Sequence, residues 1–88
     1  MKLSDEFILR RVVDTAVLMP YGKKLVDLNG MLSLNSAGAF LAEQLRDETT
    51  FDELVRRVVE KFDVEKETAK RDVAIFLEQL KTHGALVE

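Results

Sequence analysis

LNGMLSLNSAGAFLAEQL, residues 28–45, changes character twice over a short span. Asn29-Gly30 tolerates the positive φ values of a two-residue type I′ turn, so a hairpin is expected there. Met31-Leu32-Ser33-Leu34 then alternates, which sends Leu32 and Leu34 to one face of a strand and Met31 and Ser33 to the other. From Asn35 the period becomes helical. Asn35 can cap the amides of the next turn, and Ala37, Phe40, Leu41, Gln44 and Leu45 recur at spacings of three and four. A strand thus passes into a helix with no loop between them, and the chain divides into a sheet half, about 7–34, and a helical half, about 36–84.

Upstream of that junction, Phe7 to Val13 and Ala16 to Met19 are rich in Val, Ile and Leu, and Asp14-Thr15 can connect them as a hairpin. Pro20 lacks an amide hydrogen and should end the second strand, with Tyr21-Gly22-Lys23-Lys24 as a loop before Leu25 to Leu28. Downstream, Thr50 and Glu53 have the spacing of a capping box, and Phe51, Leu54, Val55, Val58, Val59 and Phe62 form the apolar stripe of a second helix. Asp63 is expected to cap a third helix whose stripe is Ala69, Val73, Phe76, Leu77 and Leu80. Gly84 suits a left-handed C-cap, and Ala85-Leu86-Val87 read as a short packing tail. Phe7, Val12, Leu25, Phe40 and Phe62 are expected in the core. Strands followed by three short helices describe an α+β unit with its helices on one face of a small antiparallel sheet.

At 88 residues and 47% hydrophobic content, the chain is sized for one domain with a single modest core. A net charge of −3 offers no global attraction to nucleic acid or anionic lipid, and the absence of cysteine excludes disulfides, thiolate ligands and a thiol nucleophile. No stretch has the length of a membrane span, and MKLSDEFILRRVV is too soon charged for a signal-peptide core. A soluble cytoplasmic protein is expected.

Chemistry-bearing residues are few. His83, the only histidine, falls in a last helical turn, where an imidazole faces backbone carbonyls. Asp47-Glu48, Asp52-Glu53 and Glu65/Glu67 fall at helix starts, where carboxylates meet the amide dipoles. The glycines have no phosphate-cradling spacing. No catalytic residue, metal site or cofactor is expected, and the chain reads as a non-enzyme. A sheet beside three helices also describes a winged-helix DNA-binding domain. However, Arg56, Arg57 and Lys61 are balanced by Asp52, Glu53 and Glu60, and Lys66, Lys70, Arg71 and Lys81 by Glu65, Glu67, Asp72 and Glu78. Duplex binding needs several unopposed cations, so nucleic acid is not the expected partner.

Leu34-Asn35, Gly38-Ala39-Phe40, Glu53-Leu54-Val55, Asp63-Val64, and Asp72-Val73 with Phe76-Leu77 and Leu80 occur in the order found in the PqqD family, the RiPP recognition elements, which this chain resembles over nearly its whole length. Relatives often carry Trp in the first helix where Ala42 stands here. The resemblance implies a three-stranded sheet on a winged helix-turn-helix core. It further implies a non-catalytic peptide chaperone: the leader of a ribosomally made precursor peptide adds a strand to the third strand and lies against the last helix. A modifying enzyme, often a radical SAM maturase, then acts on the peptide. Carried onto this sequence, the docking strand is Met31, Leu32, Ser33 and Leu34; on the last helix, turning Ala69, Val73, Phe76, Leu77 and Leu80 inward leaves Arg71, Ala74, Ile75 and Glu78 outward or flanking, and these complete the candidate peptide-binding set. Ile75 is the one large apolar residue off the core stripe; it is either a single exposed side chain or a wall of the peptide groove, with Arg71 able to fork onto a leader carboxylate. Met31 suits groove or core equally. An open strand could instead pair with a second copy, so a homodimer is the rival expectation.

Overall fold

The computed structural model describes residues 1–13, 15–20 and 32–88. The expected Leu25–Leu28 strand, the Asn29-Gly30 turn and Met31 lie outside the described residues. Strands β1 (Lys2–Leu3), β2 (Phe7–Val12), β3 (Thr15–Pro20) and β4 (Leu32–Leu34) precede helices α1 (Ser36–Gln44), α2 (Phe51–Phe62) and α3 (Lys66–Thr82), and β5 (Leu86–Val87) follows. The main sheet is antiparallel, in the order β2-β3-β4, and three helices come after it.

Alternation sorts the sheet. Ala16, Leu18 and Pro20 are buried on the helix-facing side of β3, while Val17 and Met19 on its other side are half-buried. Leu18 sits opposite both Leu9 and Leu32, and Ala16 opposite Leu34. Ala16, Leu18 and Leu34 share one core with Leu41, Leu45, Leu54, Val73 and Leu80, the last five all essentially without solvent exposure. Each such side chain contributes about 2 kcal/mol by leaving water. The predicted α3 stripe of Ala69, Val73, Phe76, Leu77 and Leu80 is buried throughout, and Ala42 is fully enclosed. Phe7 is core as expected. Phe40 and Phe62, by contrast, are half-buried at the edge of the core, where their rings meet edge-to-face with centroids 5.6 Å apart.

Helix ends differ from expectation in instructive ways. Asn35 accepts the Gly38 amide at 2.8 Å and Thr50 accepts the Glu53 amide at 3.2 Å, so both predicted caps form. The return half of the capping box does not: the Glu53 carboxylate binds Arg56 and Arg57, as its charge favours. Asp63 is not the N-cap of α3 but the C-cap of α2, in the left-handed conformation (φ 53°), which Asp tolerates better than most residues. The position before α3 is Glu65, whose side chain makes no capping hydrogen bond. Gly84 is left-handed (φ 71°), as expected. Val12 pairs with Thr15, so Thr15, expected in the connection, is instead the first residue of β3, and Val13 is left-handed at φ 55°; Asp14 lies outside the described residues.

The expected C-terminal packing tail is a strand. β5 pairs antiparallel with β1, Leu3 opposite Leu86. A backbone bond from Ser4 N–H to Ala85 O extends the pair, and bonds from Leu3 N–H to Leu45 O and from Thr49 N–H to Met1 O tie it to the α1–α2 connection. No described helix is long and apolar enough to cross a membrane.

Candidate peptide-binding edge and cleft

β4 is the border of the main sheet. Its one described neighbour is β3, with Leu32, Ser33 and Leu34 opposite Leu18, Val17 and Ala16. Leu34 is buried and Leu32 half-buried on the core face, while Ser33 is exposed on the other. Among the described residues nothing pairs with the outer side of β4, so alternate residues direct their N–H and C=O groups outward. At its C-terminal end the strand stops at Asn35, which starts α1 at the next residue.

At that junction α3 comes close. A side chain on Gly38 would place its Cβ 3.3 Å from Phe76 Cε1 and 3.5 Å from Leu34 Cβ, so glycine is what lets α3 approach the end of the strand. Beside the contact opens a cleft of about 250 Å³, with Asn35, Ala37, Gly38 and Leu41 on the α1 side and Asp72, Ile75, Phe76 and Gln79 on the α3 side. Ile75 is 55% exposed, and the cleft gives it a setting beyond that of a solitary surface residue.

Of the residues anticipated from the sequence, Leu32, Ser33 and Leu34 lie on the border strand and Ile75 on the cleft wall, whereas Met31 lies outside the described residues. Arg71, Ala74 and Glu78 are exposed on α3, on the flank of Ile75 away from the cleft lining. Asp72 and Gln79 were not anticipated. The core stripe leaves two flanks of α3 open, and only the docking of α1, far away in sequence, decides which one faces β4. Gly38, a small residue four positions after the strand, was the available signal.

The remaining polar groups are mostly occupied. Glu53 binds Arg56 and also Arg57, at 3.1 Å; Arg56 further binds Glu60, and Arg57 reaches Gln44 Oε1 at 2.9 Å. The Arg56 guanidinium above all, with Arg57, draws the Glu53 carboxyl from the ordinary 4.5 down to about 2. Lys70 meets Glu67 at 3.6 Å, and Arg11 Nε donates to Glu43 at 2.9 Å. His83 Nδ1 lies 2.9 Å from Gln79 O, at the carbonyl end of α3. No group of three or more His, Cys, Asp or Glu among the described residues could hold a metal ion.

Comparison with known proteins identifies a family and a shared fold. Residues 15–86 match the family described as coenzyme PQQ synthesis protein D (PqqD). The fold is shared with TbiB1, solved in complex with the TbiA(β) leader peptide: TM-score 0.75, 24% identity, covering 93% of this chain and 90% of that one. It is shared as well with lasso peptide synthetase B1, solved with its leader peptide: TM-score 0.77, 22% identity, 99% and 96% covered. No curated protein sequence matches.

Proposed function

The chain belongs to the PqqD family, and on that premise we propose that it is a non-catalytic peptide-binding protein of the cytoplasm, which takes the leader of a ribosomally made precursor as an added strand on β4. It presents that precursor to a modifying enzyme, a radical SAM maturase in our reading. What supports the reading is that a sheet border without a partner among the described residues coincides with a cleft beside Asn35, at its end. Strand addition gives sequence-blind backbone bonds, and a neighbouring pocket supplies choice. The two structurally similar proteins bind leader peptides.

Magnitudes show why both parts are needed. The three described residues of β4 offer about two to four backbone hydrogen bonds, worth roughly 1 kcal/mol each. That falls short of the roughly 8 kcal/mol of a micromolar complex even before association entropy is counted. Apolar leader side chains buried in the cleft, at about 2 kcal/mol each, must supply the difference.

Amide-resolved NMR titration of the chain with the leader of a neighbouring precursor tests the proposal. Shifts are expected at Leu32–Leu34 and around Ile75. Leu32→Pro, which deletes an amide and bends the border, should weaken binding more than Lys61→Ala. Equal effects, or an unmoved β4, would sink strand addition. A strand-paired homodimer is distinguished by mass in solution: leader should dissociate it if the two compete for one edge.

A further inference from the structure

Among the described residues, Asp72 is the single charged one in the lining of the α1–α3 cleft. It stands in the interior of α3, beyond the first turn, where a carboxylate gains little from the helix dipole and Asp is a poor helix former. Its neighbours one turn away, Thr68, Ala69, Ile75 and Phe76, include no cation, and neither do the α1 residues facing it, Asn35, Ala37, Gly38 and Leu41. Among the described residues it makes no ion pair or hydrogen bond, whereas Glu53, Glu60 and Glu67 of the helices all hold cations. Among the described residues, the cleft therefore presents one unneutralised negative charge beside an apolar floor of Gly38, Leu41 and Phe76. A cationic occupant complements it.

We propose that Asp72 selects leaders carrying a Lys or Arg two residues from a large apolar side chain, the apolar group entering the cleft beside Ile75 and the cation reaching the Asp72 carboxylate. This rests on the strand-addition reading above. The spacing follows from geometry. Asp72 and Ile75 or Phe76 are about 5–6 Å apart along the helix surface, and side chains on one face of an extended peptide recur every two residues, about 6.5–7 Å. Gln79, further along the same wall, offers an amide donor and acceptor to the peptide backbone.

The test is selection of a displayed random-peptide library on the full 88-residue chain, followed by synthesis of the recovered peptides with the cation kept or changed to Gln or Glu. The expected peptides carry the apolar and cationic pair at the two-residue spacing, shift the Leu32–Leu34 amides, and bind roughly three- to tenfold more tightly than their Gln forms, the range of a partly shielded charge pair. Asp72→Asn should abolish that preference, and Asp72→Lys should turn it toward the Glu forms. Asp47→Asn, the same charge change at an exposed site outside the cleft, should leave it intact. Matching circular dichroism melts establish that the variants fold. Peptides that shift β4 but show no cation preference, or keep it in Asp72→Asn, overturn the selection by Asp72 and leave strand addition standing. Peptides that shift only the cleft overturn strand addition and, with it, the two-residue spacing. Recovery of no binder overturns both.

Discussion

Helix α3 has a cleft on each side, and the two could hardly be more different. On the α2 side, about 470 Å³ is lined by Val55 and Val59 among Asp52, Arg56, Glu60, Lys66 and Lys70. There Arg56 is held between Glu53 and Glu60, and Lys70 lies against Glu67, so most of the charge is neutralised within the chain. On the α1 side, a smaller hollow holds one carboxylate and no cation. The wider cleft is largely satisfied by its own residues. The narrower one has no cation in its described lining, and of the two it is the one that reaches Asn35, the residue after β4.

Perturbing the two sides separately should break or sharpen that contrast. Leu80→Ala removes a fully buried side chain of α3 and is expected to destabilise the whole domain by about 2–5 kcal/mol, loosening both clefts together; chemical denaturation measures it. Gly38→Val drives side-chain atoms into Phe76 and the Asn35 cap. The expected loss is about 1–3 kcal/mol, with amide shifts concentrated on the α1 side and leader binding reduced in calorimetry. Lys70→Ala touches only the self-paired side: stability should change by at most about 0.5 kcal/mol, with leader affinity unaffected.

The fourth expectation concerns pH. Because the Glu53 carboxyl is lower in the folded chain than in the unfolded one, its ion pairs contribute fully above about 4.5, the ordinary value. That contribution fades as pH falls toward about 2. Carboxyl-detected NMR titration should find Glu53 near that lower value, and Arg56→Ala should move it upward.

What could be read beforehand divides along the same line. The caps at Asn35 and Thr50 and the buried stripe of α3 depend on residues within a turn of one another, and they are as the periodicity demanded. The β1–β5 pairing joins positions at opposite ends of the chain, and two-residue strands carry no period to detect. Asp63 was misplaced because one residue type both caps helix starts and tolerates the left-handed turn that ends them. Phe40 and Phe62 looked like core from their type alone, yet the edge where they meet leaves both half in solvent. The flank of α3 that faces β4 was undetermined for the same reason as the terminal strands: packing at a distance decides it.

Asn35 has one further implication. It closes β4 with its backbone and anchors the Gly38 amide with its side chain, so strand and helix meet in a stiff joint without slack. Anything that steadies the border should steady the first turn of α1 by the same act. The rate at which the Gly38 amide trades its proton for deuterium would then serve as a clock for how long a guest stays.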